Sequence, residues 1–216
     1  IYIESATRTE GPSMTGKLLA LLPWIRLRTQ ARRWANRRWT YCGSVFDGYV
    51  AHAQSEPQPI KKVLVTLGTQ EGYPFVSLVR RMQQIVPDGV EVMWQIGAGF
   101  PEEQRPPGAR ELVSRAELAE WVNSADAVVT HAGVGSALTL LDSGKTPVLV
   151  PRSASRGEHV DEHQRLIALE LASRGLGVLA SPDDLAWSDL VLSTSTVTAR
   201  IDPGRDSAAA PTATPA

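Results

Sequence analysis

Cysteine is almost absent from this chain: Cys42 stands alone, which excludes an internal disulfide and fits a reducing compartment. Long apolar runs are missing as well, for nowhere do about 18 apolar residues follow one another. No segment reads as a membrane-spanning helix or a secretory leader. Neither sign of charge dominates, with 22 Lys and Arg against 23 Asp and Glu, and the net charge of −1 excludes a strongly basic nucleic-acid binder by bulk charge. Walker loop, Gly-x-Ser-x-Gly elbow and His-Glu-x-x-His motif are all lacking. What remains is globular: 216 residues, 43% hydrophobic and 21% charged, enough for one good core or one and a half small domains.

The most informative stretch runs from Asp126 to Pro151. The apolar run Ala127 to Thr130 predicts a buried parallel strand, Gly133 and Gly135 a tight turn, and Ser136 to Ser143 a helix stopped by Gly144. Free N–H groups at such a helix start, with the positive end of its dipole, suit a phosphate or diphosphate. Two missing Cβ atoms would let the anion come close.

Around this unit the pattern alternates: strand 62–67, helix 74–86, strand 90–96, a short strand near 111–113, helix 115–124, strand 148–150, helix 161–173 and strand 177–179. Alternating βα units with apolar strands imply a Rossmann-like parallel sheet with helices on both faces. Ser114 with Glu117 predicts a capping box, and Gly175 a helix stop. The expected division is an N-terminal part over 1–50, a proline-marked linker over 51–60, the Rossmann-like domain over 61–200, and a low-complexity tail over 201–216 read as disordered. Because the chain opens on the strand-like Ile-Tyr-Ile-Glu without an initiator methionine, we expect a piece of a longer protein with an incomplete N-terminal domain.

From Gly11 to Phe46 there is no acidic residue, while arginines gather beside leucines and tryptophans. Trp24, Arg26, Arg28, Arg32, Arg33 and Trp34 predict peripheral contact with an anionic membrane, the rings at headgroup level and the cations on lipid phosphates. The alternative is a partly packed helix with a solvated basic face. Tyr41 to Phe46 reads as a further strand.

In an open parallel sheet ligands lie outside the carboxyl ends of the strands. Candidate loops are therefore Gly68-Thr69-Gln70, Gly97-Ala98-Gly99, His131 to Ser136, and the polar run from Arg152 through Glu158, His159, Asp161 and His163 to Gln164. That run suits sugar hydroxyls better than a metal, and no metal or other cofactor is expected. His131 reads equally as a packed histidine or a ligand contact. NAD is disfavoured because the Gly-x-Gly turn lacks its third glycine and its acidic partner about 20 residues on.

Taken together, Val65-Thr-Leu-Gly-Thr-Gln70, His131-Ala-Gly-Val-Gly-Ser136, Gly144 to Arg152 and Glu158 to Gln164 resemble the C-terminal donor-binding domain of family 28 glycosyltransferases, over about Lys62 to Leu179. The front, Ile3-Glu-Ser-Ala-Thr-Arg8 and Ser13-Met-Thr-Gly-Lys17 with Gln30, is similar to the end of the membrane-anchoring subunit of the two-subunit dolichol-linked N-acetylglucosaminyltransferase, and the joined arrangement resembles bacterial exopolysaccharide transferases. The resemblance implies a GT-B type fold and transfer of a hexose or N-acetylhexosamine from a UDP-sugar to a polyprenyl-linked or glycan acceptor. It implies work at the cytoplasmic face of the plasma membrane, with a partner subunit possible and no nucleic acid. On the matching positions, Gly68 and Thr69 would approach the donor diphosphate, while Gly133, Gly135 and Ser136 would hold it. His163 and Gln164 stand where the family has two glutamines on the donor sugar. Thr139 stands where it has a ribose-binding glutamate, a role that Glu158 would take over. Inversion needs a general base, for which Glu4 or a residue of the missing part is the candidate. A UDP-sugar 2-epimerase and a non-catalytic nucleotide-sugar-binding subunit are the rival readings.

Overall fold

The computed structural model describes residues 1–69, 72–153, 157–158 and 163–201. Its centre is a five-stranded, wholly parallel sheet built from β5 (Lys62–Thr66), β6 (Glu91–Gln95), β7 (Ala127–Thr130), β8 (Val148–Leu149) and β9 (Val178–Leu179), in the order β6-β5-β7-β8-β9. Helices α2 (Val76–Ile85), α3 (Arg115–Ser124), α4 (Val134–Asp142), α5 (His163–Ser173) and α6 (Trp187–Ser193) cover it. The α/β architecture expected from the alternation is therefore the one observed.

Side-chain alternation along β5 explains the two-sided cover. Val63 and Val65 pack with Phe75, Leu78, Val79 and Met82 at the front and inner face of α2, and with Leu190 of α6. Leu64 turns the other way and packs with Val122 of α3 and Leu140 of α4. All four residues of β7 are buried, as a strand covered on both faces requires. Burial of apolar surface between these layers, worth about 25 cal/mol per Å², is the main favourable contribution to folding.

The remaining strands form two small sheets. β1 (Tyr2–Ile3), β2 (Leu27–Thr29) and β3 (Trp39–Tyr41) pair in parallel, with α1 (Met14–Ala20) crossing from β1 to β2. Trp39 is buried there, its ring edge-on to Tyr2 and Trp34. β4 (Tyr49–Ala53) and β10 (Thr196–Arg200) form an antiparallel ribbon, its pairs running from Tyr49 opposite Arg200 to Ala53 opposite Thr196. No helix among the described residues is long and apolar enough to cross a membrane.

Several sequence-based expectations are corrected here. Residues 51–53, read as linker, are strand, because their partners lie in β10, far away in sequence. The core of the large sheet already includes Phe46 and Tyr49, packed with Ala137 and Leu171. The strand expected over 41–46 is absent but for Tyr41, the last residue of β3, and a turn follows that Asp47 caps by accepting from Ser44 N at 2.9 Å. The basic segment is no single helix, since α1 stops at Ala20 and two short strands follow. Near 111–113 there is no strand, only an isolated bridge between Gln95 and Arg110. The capping box is half built: the Ser114 hydroxyl accepts from Glu117 N, but the Glu117 carboxylate turns to Arg110 at 2.9 Å.

Candidate functional site

Strand order places the site. The chain leaves β5 toward β6 on one side and returns past it to β7 on the other, so the loops after β5 and β7 diverge from a point where the order reverses. A crevice opens at such a switch point. Here it is a cavity of about 340 Å³ lined by Thr66, Gly68, Thr69, Gln95, Val113, Leu118, His131, Gly133, Gly135 and Ser136. Six expected site residues, Gly68, Thr69, His131, Gly133, Gly135 and Ser136, thus meet in one place. A smaller apolar pocket beside it shares Thr66, Leu118, Gly135 and Ser136 and adds Thr139.

Helix α4 starts two residues earlier than the sequence pattern implied, with Gly133 as N-cap and no side chain closing the cap. First-turn N–H groups have no intrahelical acceptor, and of the first-turn residues Gly135 and Ser136 line the cavity, with the N-cap Gly133 beside them. The Gly135 position is open, for a Cβ built there meets nothing within 4 Å. Gly133 is different. A Cβ on Gly133 would lie 2.6 Å from His131 Nε2, and one on Gly68, whose φ is +75°, would lie 2.6 Å from His131 Cε1. The imidazole occupies the room that two glycines leave, and only Gly135 keeps its room for a ligand.

Gln95 was missed in the sequence, where it reads as one more strand residue. Its buried carboxamide accepts from Thr66 Oγ1 at 2.8 Å and Gly68 N at 3.1 Å, and donates to Gly68 O at 2.7 Å and Glu111 O at 2.8 Å. The amide group thus fixes both backbone polar groups of the Gly68 turn. A polar residue directly after the apolar run Val92-Met93-Trp94 at the end of the strand was the available signal.

The polar run after β8 is placed elsewhere. Arg152, Glu158 and Gln164 do not line the cavity but form a buried cluster behind the β5 loop. Arg152 Nη2 donates to Leu67 O at 2.8 Å, its guanidinium lies 5.6 Å from the Phe75 ring, and its backbone N–H donates to Gln164 Oε1 at 3.0 Å. Among the described residues Arg152 Nε and Nη1 have no hydrogen-bond partner. Burial lowers the guanidinium pKa, and the nearby Glu158 carboxylate partly restores it. Glu158 in turn accepts from Ser77 Oγ at 2.5 Å and Ser153 N at 3.3 Å, which occupies the group expected on ribose. His163 opens α5. His159, Asp161 and Gln70 lie outside the described residues. No group of three or more His, Cys, Asp or Glu able to hold a metal occurs among the described residues.

Glu4 is buried in the small sheet and anchors α1. Its carboxylate accepts from Ser13 N at 2.8 Å, Ser13 Oγ at 2.9 Å, Ser5 N at 3.2 Å and Tyr2 OH at 3.1 Å. Burial pushes the carboxyl up, but those bonds outweigh it and hold the pKa below the ordinary carboxylate range. A general base works best with a pKa near the operating pH, and this environment moves the Glu4 carboxyl away from it. Of the residues expected on a membrane, Trp24 is exposed, whereas Trp34 is tied down, its Nε1 donating to Arg8 O at 2.9 Å. Arg32 sits 4.5 Å over the Tyr41 ring, and Arg33 faces Glu10 at 3.8 Å.

A parallel α/β sheet with a glycine-turned helix start at its switch point is the architecture of a Rossmann-like domain. The family model "Glycosyltransferase family 28 C-terminal domain" matches residues 62–193, and the chain belongs to that family. Among curated proteins, the UDP-N-acetylglucosamine--N-acetylmuramyl-(pentapeptide) pyrophosphoryl-undecaprenol N-acetylglucosamine transferase of Christiangramia forsetii (strain DSM 17595 / CGMCC 1.15422 / KT0803) is 28% identical over 132 residues. That alignment covers 58% of this chain and 34% of the relative, so the chain spans about a third of that relative's length. Among solved structures, the calicheamicin glycosyltransferase CalG4 is 21% identical (TM-score 0.45; 74% of this chain, 39% of that one). SnogD from Streptomyces nogalater is 22% identical (TM-score 0.46; 71% and 40%), and the glycotransferase of kitacinnamycin is 22% identical (TM-score 0.43; 73% and 40%). With TM-scores below 0.5, the architecture rests on this chain's own strand order.

Proposed function

We propose that this chain is the donor-binding part of a GT-B type glycosyltransferase that moves a hexose or N-acetylhexosamine from a UDP-sugar to a polyprenyl-linked or glycan acceptor, with inversion. The observation that carries the reading is the single cavity in which Gly68, Thr69 and the uncapped start of α4 face each other. The diphosphate lies on the N–H groups of Gly135 and Ser136, where the helix dipole and the amides take up the charge that grows on the leaving group. Gln95 keeps the opposing Gly68 turn in place, and His131 fills the wall between the turns. The apolar pocket beside Thr139 holds the nucleoside end. Arg152, Glu158 and Gln164 act from behind, by holding Leu67 and the loop after β8.

The small parallel sheet with its βαβ crossing supports a second Rossmann-like unit, over 1–50, that faces the acceptor. A peripheral contact with an anionic membrane at its cytoplasmic face brings that acceptor within reach, alone or with a partner subunit. Calorimetric titration with UDP, UDP-N-acetylglucosamine, UDP-glucose and NAD tests the reading. Micromolar UDP or UDP-sugar binding without NAD binding is expected, and equal or stronger NAD binding would overturn it.

A further inference from the structure

In a nucleotide the pentose follows the diphosphate, so the wall just beyond the start of α4 decides how the pentose is held. Thr139 stands one turn after Gly135 on the same face, and the side chains of a helix lean toward its start. With Leu118, Val122 and Ser136 it lines the apolar pocket of about 170 Å³ beside the diphosphate cavity. Both pockets share Thr66, Leu118, Gly135 and Ser136, so a diphosphate on the helix start brings its pentose to this wall.

Telling ribose from deoxyribose takes an acceptor committed to the one hydroxyl in which they differ, and a charged acceptor does this best. Among the described residues no Asp or Glu lines either pocket. The Glu158 carboxylate is occupied by Ser77 Oγ and Ser153 N, and the Gln95 carboxamide by Thr66, Gly68 and Glu111. Thr139 offers only a neutral oxygen, whose single proton already goes to Gly135 O at 3.0 Å. Ser136 adds a second neutral hydroxyl. Because Thr139 is exposed, water replaces a missing sugar hydroxyl there at little cost.

We propose that this chain holds ribose and deoxyribose nucleotides alike, so that deoxynucleoside diphosphate sugars serve as donors beside UDP-sugars. The inference rests on the donor-site reading of the proposed function and sets its nucleotide specificity. Anion and apolar wall select the ligand; the extra ribose hydroxyl does not. A carboxylate in place of Thr139 supplies the acceptor that the wall lacks, and because Thr139 is exposed, a longer side chain there leaves the core undisturbed.

Calorimetric titration of the full chain with UDP and with deoxyuridine diphosphate, in the parent and in Thr139→Glu, tests it. In the parent the two dissociation constants are expected to agree within about threefold, since only a neutral hydrogen bond that water can replace separates the ligands. In Thr139→Glu their ratio moves at least about tenfold toward UDP, whatever the added charge does to both affinities, because a carboxylate is then committed to the extra hydroxyl. A parent that prefers UDP by more than about threefold would overturn the proposal. So would a Thr139→Glu variant, folded by its melting curve, whose ratio stays that of the parent, since the pentose would then lie elsewhere. Binding of neither nucleotide by the parent would overturn the donor-site reading itself, an outcome distinct from binding of UDP alone.

Discussion

Gly133 and Gly135 sit two residues apart in one turn and answer to different neighbours. Gly135 faces open cavity, so Gly135→Ala should leave the melting temperature unchanged or slightly higher, Ala being favoured in a helix by about 1 kcal/mol, while Gly135→Trp should abolish UDP binding in a calorimetric titration. Gly133→Ala must displace His131, which makes its effect a change in the cavity wall. Gln95 lies in neither glycine turn, yet all its amide hydrogen bonds end on the Gly68 side of the site. Gln95→Leu strands Gly68 N and Gly68 O at about 1–3 kcal/mol each when no water replaces the amide, while Glu111 O keeps its bond from Gly97 N. A UDP dissociation constant raised at least about tenfold is expected, with the larger part of the loss retained in Gln95→Glu, which keeps the acceptor and loses the donors. Unchanged UDP affinity in Gln95→Leu would show that the Gly68 turn does not need its clamp.

At the level of elements, α1 depends on a glycine it would ordinarily be better without. In a free helix Gly16→Ala would help, but here the added Cβ would press on the Glu4 carboxylate and approach Trp39 Cη2 to 3.0 Å and Pro12 Cβ to 3.1 Å. The carboxylate is pinned by Ser13 and Ser5, so it cannot step aside. We expect a net loss of about 1–3 kcal/mol in chemical denaturation. None of this was visible in the amino-acid string, where Gly16 looked like part of a basic, tryptophan-rich run. By contrast α3 and β7 were legible to the residue, because the Ser114 cap marks the helix start and β7 is wholly buried. The ribbon of β4 and β10 was not legible. Its strands have polar, partly exposed residues, and each exists only because the other lies alongside. The glycine half of the site could be read because a helix start needs no distant partner, while the fate of Arg152, Glu158 and Gln164 depended on how three loops fold over one another.

For the molecule as a whole, acid should be the effective denaturant. Glu4, Asp47 and Asp142 all have pKa values below their ordinary ones. For Glu4 and Asp47 burial acts upward but is outweighed, for Asp47 by Tyr41 OH, Ser44 N and Arg174; for Asp142 the main cause is Arg200, then Tyr49. Depressed folded-state values mean that the unfolded chain takes up protons first. The stabilisation is fully present above the unfolded carboxylate range of about 4 and is lost as pH falls through the lower folded values. Denaturation midpoints should therefore hold from neutrality to about pH 5 and fall steeply below it, and a flat profile down to about pH 3 would count against these assignments.

The ribbon also has a mechanical meaning. Tyr49 lies opposite Arg200, and Ile201 N donates to Gly48 O at 2.9 Å, so the large α/β unit is entered and left at one point. A pull applied between residues 48 and 201 meets the ladder end-on and opens it one pair at a time, as a zipper, instead of shearing all its bonds together. Tension reaching the chain at that point would be absorbed by β4 and β10 long before it was felt at the sheet edge where Gly68 and Gly135 face each other.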